Sequence, residues 1–464
     1  MRGTSPKWGR RRFVASACGA LSSATLQGCG LFRSAGEQEG VPRVEMAIFD
    51  GGFGMAWHQK VVERFVAHRA ALGKPIRVDF WGDPRVIDKV RPRILRGAPP
   101  DISDAPLPFW KLAPAGALFS LNDWLDGPSF DQPNKTWRET FLRGALNPFT
   151  YEGQTCAIPL TFNAWILWYD KTLFKRHGWK LPSTFSEWET LCEEIKQAGI
   201  APLAYQGKYP YYGDALYWSV FQRLSGIRKV ERCQNFEPGA FLDPEAIEAA
   251  RVVQSFTTRY FQEGAMTMSH TEAQLEFCNR RAAMIPCGVW LENEMRNAFP
   301  KDFRLSCFII PRFEGGKGSE RAVVAAGAQA FLAFRDGGRP EEGAELLRFM
   351  LSLDNSREWV KTVSTVSSIE GATRREEIGQ TLADVLTLVE NAAFTFDNRL
   401  LDLFPTWRNE VWFPTLEDLL SGKIKPDAFA RVAEKGLERI RRNLDVYKPQ
   451  PRPLPQGAEV EEAL

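Results

Sequence analysis

Apolar and polar positions alternate along the chain between strand-like and helix-like spacing. Residues 44–49 form a short apolar run that ends in the glycine-rich residues 50–54, and residues 57–70 then show helical spacing. Residues 76–81 alternate like a second strand, and residues 86–95 predict the next helix. Strand, loop, helix and strand in this order predict an α/β lobe.

The middle and the end of the chain continue this pattern. A cap at Ser183 or Thr184 precedes one predicted helix, and Asp243-Pro244 opens another. The last third is mostly helical up to residue 442, whereas the prolines that follow predict an irregular tail over 449–464.

Length and composition narrow the class of protein. The chain has 464 residues, more than one ordinary core holds, which predicts two to three domains. It is 44% hydrophobic and 25% charged with a net charge of +2, which argues against nucleic acid as a partner. After the N-terminal segment no apolar stretch reaches the roughly 18 residues of a membrane helix. We therefore expect a soluble body.

Residues 1–29 resemble a lipoprotein export signal. Arg10-Arg11-Arg12-Phe13-Val14 resembles a twin-arginine motif, and Leu26-Gln27-Gly28-Cys29 resembles a lipobox. These features predict a lipid on Cys29 and a polar tether over 30–42, so that the body is anchored to a membrane outside the cytoplasm. Gln27 departs from the usual small or aliphatic residue. A basic leader with an incidental cysteine is the alternative.

Six of the eight cysteines lie in the body, at positions 156, 192, 233, 278, 287 and 307. Export permits disulfides, and Cys278 with Cys287 or Cys307 is the predicted pair, although the sequence does not fix connectivity. No two cysteines have CxxC spacing and the four histidines are scattered. We therefore expect no metal site and no cofactor.

Six stretches carry motifs in a characteristic order. They are 112–125 ("aGaLxxLddwl"), 151–159 ("yxGkxyaiP"), 167–174 ("lyYNkdlF"), 178–188 ("GlxxPxTwdE"), 277–290 ("FxxGkaAMxxxGsW") and 420–429 ("llxGkxsxeeAl"). Together they resemble extracellular solute-binding protein family 1, the carbohydrate-binding proteins of bacterial ABC importers, which includes maltose- and N-acetylglucosamine-binding proteins. Phe185 stands where the family usually has tryptophan, and Arg280 where it has glycine.

The resemblance implies a fold, a division into lobes and a function. The fold is the type II periplasmic-binding-protein fold, in which two α/β lobes are joined by a hinge with the ligand cleft between them. Residues 43–155 with 322–355 would form lobe 1, and residues 156–321 with 356–448 would form lobe 2. We expect a monomer that captures a mono- or oligosaccharide and delivers it to the ABC permease subunits by hinge closure, without catalysis.

A sugar site needs flat aromatic rings for the apolar C–H face of the pyranose, and carboxylates or amides for its hydroxyls. The resemblance places a stacking aromatic at Trp290, and a polar contact near Asn163 and Trp165 after the first crossing. Asp50 and Asp104 end predicted strands, where α/β proteins present ligand groups.

Three further aromatic candidates are Trp81 after the second strand, Trp412 before the closing motif, and Tyr211 within an aromatic-rich stretch. Every candidate has a structural alternative. The aromatic side chains can equally belong to a core, and the aspartates can equally cap a helix or form a turn.

Two other functions stay open. The same fold with a different solute, such as glycerol phosphate, a polyamine or iron, would need a basic cleft or clustered metal ligands, whereas fifteen tryptophans favour sugar. A carbohydrate-active enzyme would need two carboxylates across a cleft, for which Asp50 with Asp104 or Glu292 could serve. The sequence has no Gly-x-Ser-x-Gly elbow, P-loop or Rossmann fingerprint, so we expect a binding protein and not an enzyme.

Overall fold

The computed structural model describes residues 40–51, 53–142, 144–326, 329–455 and 457–458. The predicted leader with Cys29, and all of the tether before Gly40, lie outside these residues. From Pro42 onward the chain forms one compact unit. Among the described helices, none combines the length and apolarity that crossing a membrane requires.

The strands are β1 (Arg43–Phe49), β2 (Arg77–Asp83), β3 (Ile102–Ser103), β4 (Thr150–Tyr151), β5 (Gln154–Thr155), β6 (Ala157–Pro159), β7 (Trp165–Asp170), β8 (Ala201–Leu203), β9 (Ala282–Gly288), β10 (Leu305–Phe308), β11 (Ala322–Val324), β12 (Ala330–Ala333) and β13 (Phe394–Phe396). They form a five-stranded sheet in the order β2-β1-β3-β12-β6 and a four-stranded sheet in the order β10-β7-β9-β8. Two small pairs, β11-β13 and β4-β5, complete the described strands.

The helices are α1 (Ala56–Ala71), α2 (Val86–Leu95), α3 (Phe109–Leu112), α4 (Asn122–Asp126), α5 (Lys171–His177), α6 (Phe185–Gln197), α7 (Tyr211–Ser225), α8 (Ile227–Gln234), α9 (Pro244–Tyr260), α10 (His270–Cys278), α11 (Leu291–Met295), α12 (Pro340–Met350), α13 (Leu353–Val363), α14 (Gln380–Glu390), α15 (Leu400–Leu403), α16 (Pro405–Trp407), α17 (Phe413–Leu420) and α18 (Pro426–Arg442). The predicted helix over 86–95 is α2, and Pro92 lies inside it.

The five-stranded sheet and its helices form lobe 1. β1 runs parallel to β2 and β3, whereas β12 runs antiparallel between β3 and β6. The alternation in β1 sends Val44, Met46 and Ile48 into one core cluster with side chains of α1 and α12. Ala47 faces the opposite side, in a second cluster with residues of α2.

The four-stranded sheet forms the centre of lobe 2. β7 pairs antiparallel with β10 and β9, and β8 adds in parallel to β9. Every residue of β9 is buried, because helices cover both of its faces. At the predicted cap, the Thr184 side chain accepts the Glu187 N–H and the Glu187 side chain accepts from the backbone of Thr184, which forms a capping box for α6.

Three segments lie side by side where the lobes join, at 160–164, at 325–326 with Gln329, and at 365–369, and we call them the crossing segments. Backbone hydrogen bonds join them to one another. The Leu160 N–H donates to the Gln329 carbonyl at 2.8 Å, the Phe162 N–H to the Val366 carbonyl at 2.9 Å, and the Ala326 N–H to the Asn163 carbonyl at 3.0 Å.

The lobe boundaries differ from the predicted ones. β6 pairs with β12 in the lobe 1 sheet, so the chain leaves lobe 1 after Pro159 and not at 156. β11 pairs with β13 and packs in the core of lobe 2, so the chain returns after 324 and not at 322. Trp359 of α13, and Ile369 and Ala372 after it, pack in the core of lobe 1, so lobe 1 extends well beyond 355. The sequence motifs mark turns near the boundaries, whereas the pairing of the strands determines to which lobe each segment belongs.

The six body cysteines are all free, so the predicted disulfide of Cys278 with Cys287 or Cys307 is wrong. Cys287 lies inside β9, where its sulfur is 3.8 Å from the side-chain nitrogen of Gln274. Burial raises the pKa of the Cys278 thiol to about 12, which leaves it protonated and unreactive. In the described part of the chain, no three His, Cys, Asp or Glu side chains are grouped as metal ligands.

Arg280 replaces the motif glycine at a position with left-handed backbone, since its φ is 59°. Its guanidinium donates to Asp170 at 2.7 Å, and Asp170 is 1% exposed. The same carboxylate accepts the N–H groups of Thr172 and Arg304, both at 2.9 Å. The ion pair thus offsets the backbone cost of a side chain at this position.

We expect Arg280→Ala to lower the free energy of unfolding by about 3 kcal/mol, because a buried carboxylate loses its cation. Arg280→Gly loses the same ion pair but relieves the left-handed backbone, so its loss is expected to be about 1 kcal/mol smaller. Urea unfolding of both variants checks this. Equal losses would show that the backbone of residue 280 carries no strain.

Candidate functional site

Three of the predicted residues, Trp165, Tyr211 and Trp290, lie together at one end of the lobe 2 sheet. Trp165 begins β7 directly after the first crossing, and its strand partner is Gly288, two residues before Trp290. The centroid of the Trp165 ring is 5.2 Å from that of Trp290 and 5.8 Å from that of Tyr211. All three side chains are half-buried. We call these three residues the aromatic rim.

The position of Trp290 depends on the glycine before it. A Cβ atom at Gly288 would lie 2.0 Å from the Trp290 ring, so the indole folds back over the strand only where residue 288 has no side chain. Behind the rim, the buried Tyr212 ring packs 5.1 Å from Trp165. Burial raises the pKa of Tyr211 to about 12, so its phenol stays neutral and can both donate and accept.

Tyr209 continues the row of rings beyond the rim. Its centroid is 5.9 Å from Tyr211 and 5.2 Å from the His270 imidazole at the start of α10. The aromatic-rich stretch before α7 was the sequence signal for Tyr209. Nothing in the spacing of the sequence connected His270 with it, because α10 begins about sixty residues later.

Asp104 lies at the end of the lobe 1 sheet next to the crossings. One carboxylate oxygen accepts the Phe49 N–H at 2.6 Å, and the other accepts from the side-chain amide of Gln329. Asp104 is 5% exposed, and burial raises its pKa to about 7. Its hydrogen bonds therefore join the end of β1 to a crossing segment. Asp50 follows Phe49 and is half-buried, so it offers the more accessible carboxylate of the two.

Asn163 lies within the first crossing and is 5% exposed. Its carbonyl accepts the Ala326 N–H, so its backbone belongs to the hydrogen-bonded crossing. Two residues later the chain enters β7 with Trp165. The crossing therefore places Asn163 two residues before the first residue of the aromatic rim.

Trp81 does not join these residues. Its indole N–H donates to Glu45 at 2.9 Å, and Arg93 of α2 donates two hydrogen bonds to the same carboxylate, at 2.5 and 2.7 Å. These hydrogen bonds, chiefly that of Arg93, lower the pKa of Glu45. The Lys89 ammonium lies 5.9 Å from the Trp81 ring centroid. Trp81 is therefore packed between the sheet and α2.

Trp412 also lies away from the rim, and its prediction as a ligand residue is corrected by its burial. It is 0% exposed and stacks between Trp218 and Trp407 in the core of lobe 2. Its indole N–H donates to one carboxylate oxygen of Asp214 at 2.6 Å. The same oxygen also accepts hydrogen bonds from Trp218 and Asn398. Burial raises the pKa of Asp214 to about 7. Trp412 is therefore a core residue that satisfies a buried carboxyl group.

A groove of about 620 Å³ occupies another face of lobe 2. It contains Glu292 but none of the rim residues, and its other lining side chains include Lys171, Lys175, Arg296, Phe299, Phe303 and Arg304. Burial raises the pKa of Glu292. Neither Asp50 nor Asp104 lines this groove, so it does not bring Glu292 together with either predicted partner carboxylate.

The stability of the protein is expected to depend on pH through Asp104. Its pKa is about 7 in the folded protein and 3.8 in the unfolded chain, so the folded protein holds the proton more tightly. The resulting stability is present below pH 3.8 and is lost as the pH rises through 7, by up to about 4 kcal/mol.

Asp104→Asn keeps an acceptor for Phe49 and a polar partner for Gln329 but cannot titrate. We therefore expect the variant to become more stable relative to the wild type as the pH rises from 4 to 8. Denaturant unfolding over this range measures the difference. Parallel curves for the two proteins would contradict the assignment.

Comparison with known proteins places the chain in a family. The sequence model of a family described as bacterial extracellular solute-binding protein matches residues 54–356. A diacetylchitobiose-binding protein of Streptomyces coelicolor is 26% identical over 408 residues, which cover 84% of each chain. A multiple sugar-binding protein of Streptococcus mutans is 23% identical over 412 residues, which cover 85% of this chain and 90% of the other.

The fold agrees with this match. The solved structure of a chitin oligosaccharide binding protein superposes with a TM-score of 0.72 at 18% identity, covering 87% of this chain and 100% of the other. At this identity the likeness shows the fold alone, which is the two-lobed type II architecture that the motifs predicted. Because the family model spans well over half of the chain, this protein belongs to the bacterial extracellular solute-binding protein family.

Proposed function

We propose that this chain captures a carbohydrate outside the cytoplasm and delivers it to the membrane subunits of an ABC importer. The observation that carries the proposal is the aromatic rim, where three half-buried rings meet beside the crossings. Aromatic faces pack favourably on the C–H face of a pyranose, and their polar tips can bind its hydroxyls. The names of the two relatives, which refer to diacetylchitobiose and to multiple sugars, support the same ligand class.

Lobe 1 contributes polar groups in this proposal. Asp50 is the half-buried carboxylate at the end of β1, and Asn163 is the amide in the first crossing. Closure needs changes in only a few backbone dihedrals of the three crossing segments, since each lobe keeps its own sheet and core. The closed form would then hold the sugar between the rim and the end of the lobe 1 sheet.

The proposal includes no catalytic step. Both carboxylate oxygens of Asp104 accept hydrogen bonds, one from Phe49 and one from Gln329 of a crossing segment, which suits a positioning role better than acid or base chemistry. We further propose a monomer held at the membrane by a lipid on Cys29, which the lipobox-like sequence before this cysteine supports.

Trp290→Ala and Trp165→Ala are each expected to raise the Kd for the bound sugar at least about tenfold, because truncating a stacking ring removes more than 1.4 kcal/mol of binding energy. Calorimetry with a panel of mono- and oligosaccharides, diacetylchitobiose included, measures this. Trp179→Ala is the matched control, since Trp179 is also half-buried in lobe 2 but packs against His177 and Phe174. A sugar that binds both rim variants as tightly as the control would refute the proposed site.

Cys29→Ser tests the anchor. In a bacterium that processes lipoproteins, we expect the unchanged protein to incorporate labelled palmitate and to sediment with membranes. The serine variant should do neither, because a hydroxyl cannot form the thioether. Equal sedimentation of the two proteins would exclude lipidation at Cys29.

A further inference from the structure

The proline-rich tail after α18 is fixed to lobe 2, although residues 447–455 contain neither helix nor strand. The Arg452 guanidinium donates two hydrogen bonds to Glu231 of α8, at 2.7 and 2.9 Å, and a further one to the Asp397 carboxylate. Glu231 is 3% exposed. Burial raises the pKa of Glu231, and the charge of Arg452 opposes that rise. The ion pair is therefore bidentate and largely removed from water.

A second set of contacts fixes the backbone of the tail. The Asn235 side chain accepts the Arg452 N–H at 2.8 Å and donates to the Arg452 carbonyl at 3.0 Å. Arg399, which is 3% exposed, donates to the same Asn235 oxygen at 2.7 Å. Burying these charges costs desolvation energy, and their hydrogen bonds allow only one register of the tail on lobe 2.

This register brings Tyr447, five residues before Arg452, against lobe 1. The Tyr447 ring lies 5.9 Å from the ring of Tyr151 in β4, at 66°. Contact with the Tyr447 hydroxyl raises the pKa of Tyr151. Trp110 of α3 lies 6.5 Å from Tyr151 on the lobe 1 side. We call Trp110, Tyr151 and Tyr447 the lobe bridge.

The lobe bridge is separate from the three crossing segments. At the same junction α3 of lobe 1 lies against α15 of lobe 2, and Trp110 packs on the cores of both lobes. The crossings are covalent and can bend. The bridge consists of side-chain contacts, so a movement of α3 and β4 relative to α15 and the tail has to break or rearrange it.

The bridge is present in an arrangement in which the end of β1 and the aromatic rim do not touch. Phe49 at the end of β1 is 38% exposed, and the three rim residues are half-buried. Among the described residues, no ring contact and no hydrogen bond joins Phe49 or Asp50 to the rim. A contact made in this arrangement stabilises it, and so opposes a movement that would bring the end of β1 against the rim.

We propose that Arg452 is a positioning residue that holds Tyr447 against lobe 1, and that the lobe bridge thereby sets the affinity for the ligand. The affinity part rests on the proposed function. The apparent Kd equals the intrinsic Kd divided by the fraction of molecules able to close, so a weaker bridge gives tighter binding.

The direct test measures the distance between the lobes without ligand. Dyes on the exposed Lys74 of lobe 1 and Lys180 of lobe 2, each replaced by a residue that accepts a dye, report this distance by single-molecule fluorescence transfer. Tyr447→Ala is expected to shift the ligand-free distances toward those of the ligand-saturated protein. An unchanged distribution would overturn the proposal, whether or not any sugar binds.

Two controls separate the bridge from general effects of the tail. Tyr447→Phe keeps the ring contact, and Leu444→Ala changes a side chain that is 93% exposed on the same tail. Both are expected to leave the distances and the Kd within about twofold of the wild type, whereas Tyr447→Ala lowers the Kd about three- to tenfold, as the loss of one aromatic pair predicts. Equal effects of Tyr447→Ala and Leu444→Ala would also overturn the proposal.

Arg452→Met tests the positioning role. Its effect on the distances should match that of Tyr447→Ala, and the double variant should show no further shift, because both changes remove the same contact. Additive shifts would show that Arg452 acts independently of Tyr447. If the wild type binds no sugar while Tyr447→Ala and Arg452→Met change the ligand-free distances equally, the proposed function fails and the bridge stands.

Discussion

Backbone hydrogen bonds among the three crossing segments are the constraint on which the site depends. They hold 160–164, 325–326 with Gln329, and 365–369 side by side where the two lobes join. Trp165 directly follows the first crossing segment and begins β7 of lobe 2. Gln329 directly precedes β12 of lobe 1. Through Gln329, Asp104 connects the end of β1 to the crossings. Residues far apart in sequence are thereby brought to the junction of the two lobes.

Exposure separates two sets of tryptophans that the sequence presents alike. Trp412 and Trp218 satisfy the buried Asp214 carboxyl group and stack in a core, where burial gives stability and leaves no face for a ligand. Trp165 and Trp290 pack edge to face at the border of their lobe and stay half-buried. Rings fixed on one side and open on the other are suited to binding, because little side-chain entropy remains to be lost.

Two kinds of connection act between the lobes. The crossings are covalent segments that tolerate bending, whereas the lobe bridge is a noncovalent contact whose position depends on the ion pairs of Arg452 with Glu231 and Asp397. Such pairs seldom add much net stability, but they do select one register. A receptor that must open and close needs this balance, since a closed form that is too stable would bind without release and an open form that is too stable would not bind.

The sequence by itself determined the local elements, their order and the family. A short apolar run predicted β1, alternation predicted β2, helical spacing predicted α1 and α2, and a cap at Ser183 or Thr184 predicted the start of α6, because such patterns act over a few residues. Only the tertiary structure decided which strands pair, and with them the crossing points, the burial of Trp412 and the separation of the cysteines. These depend on contacts between distant residues such as β6 with β12, whose partners no local pattern specifies.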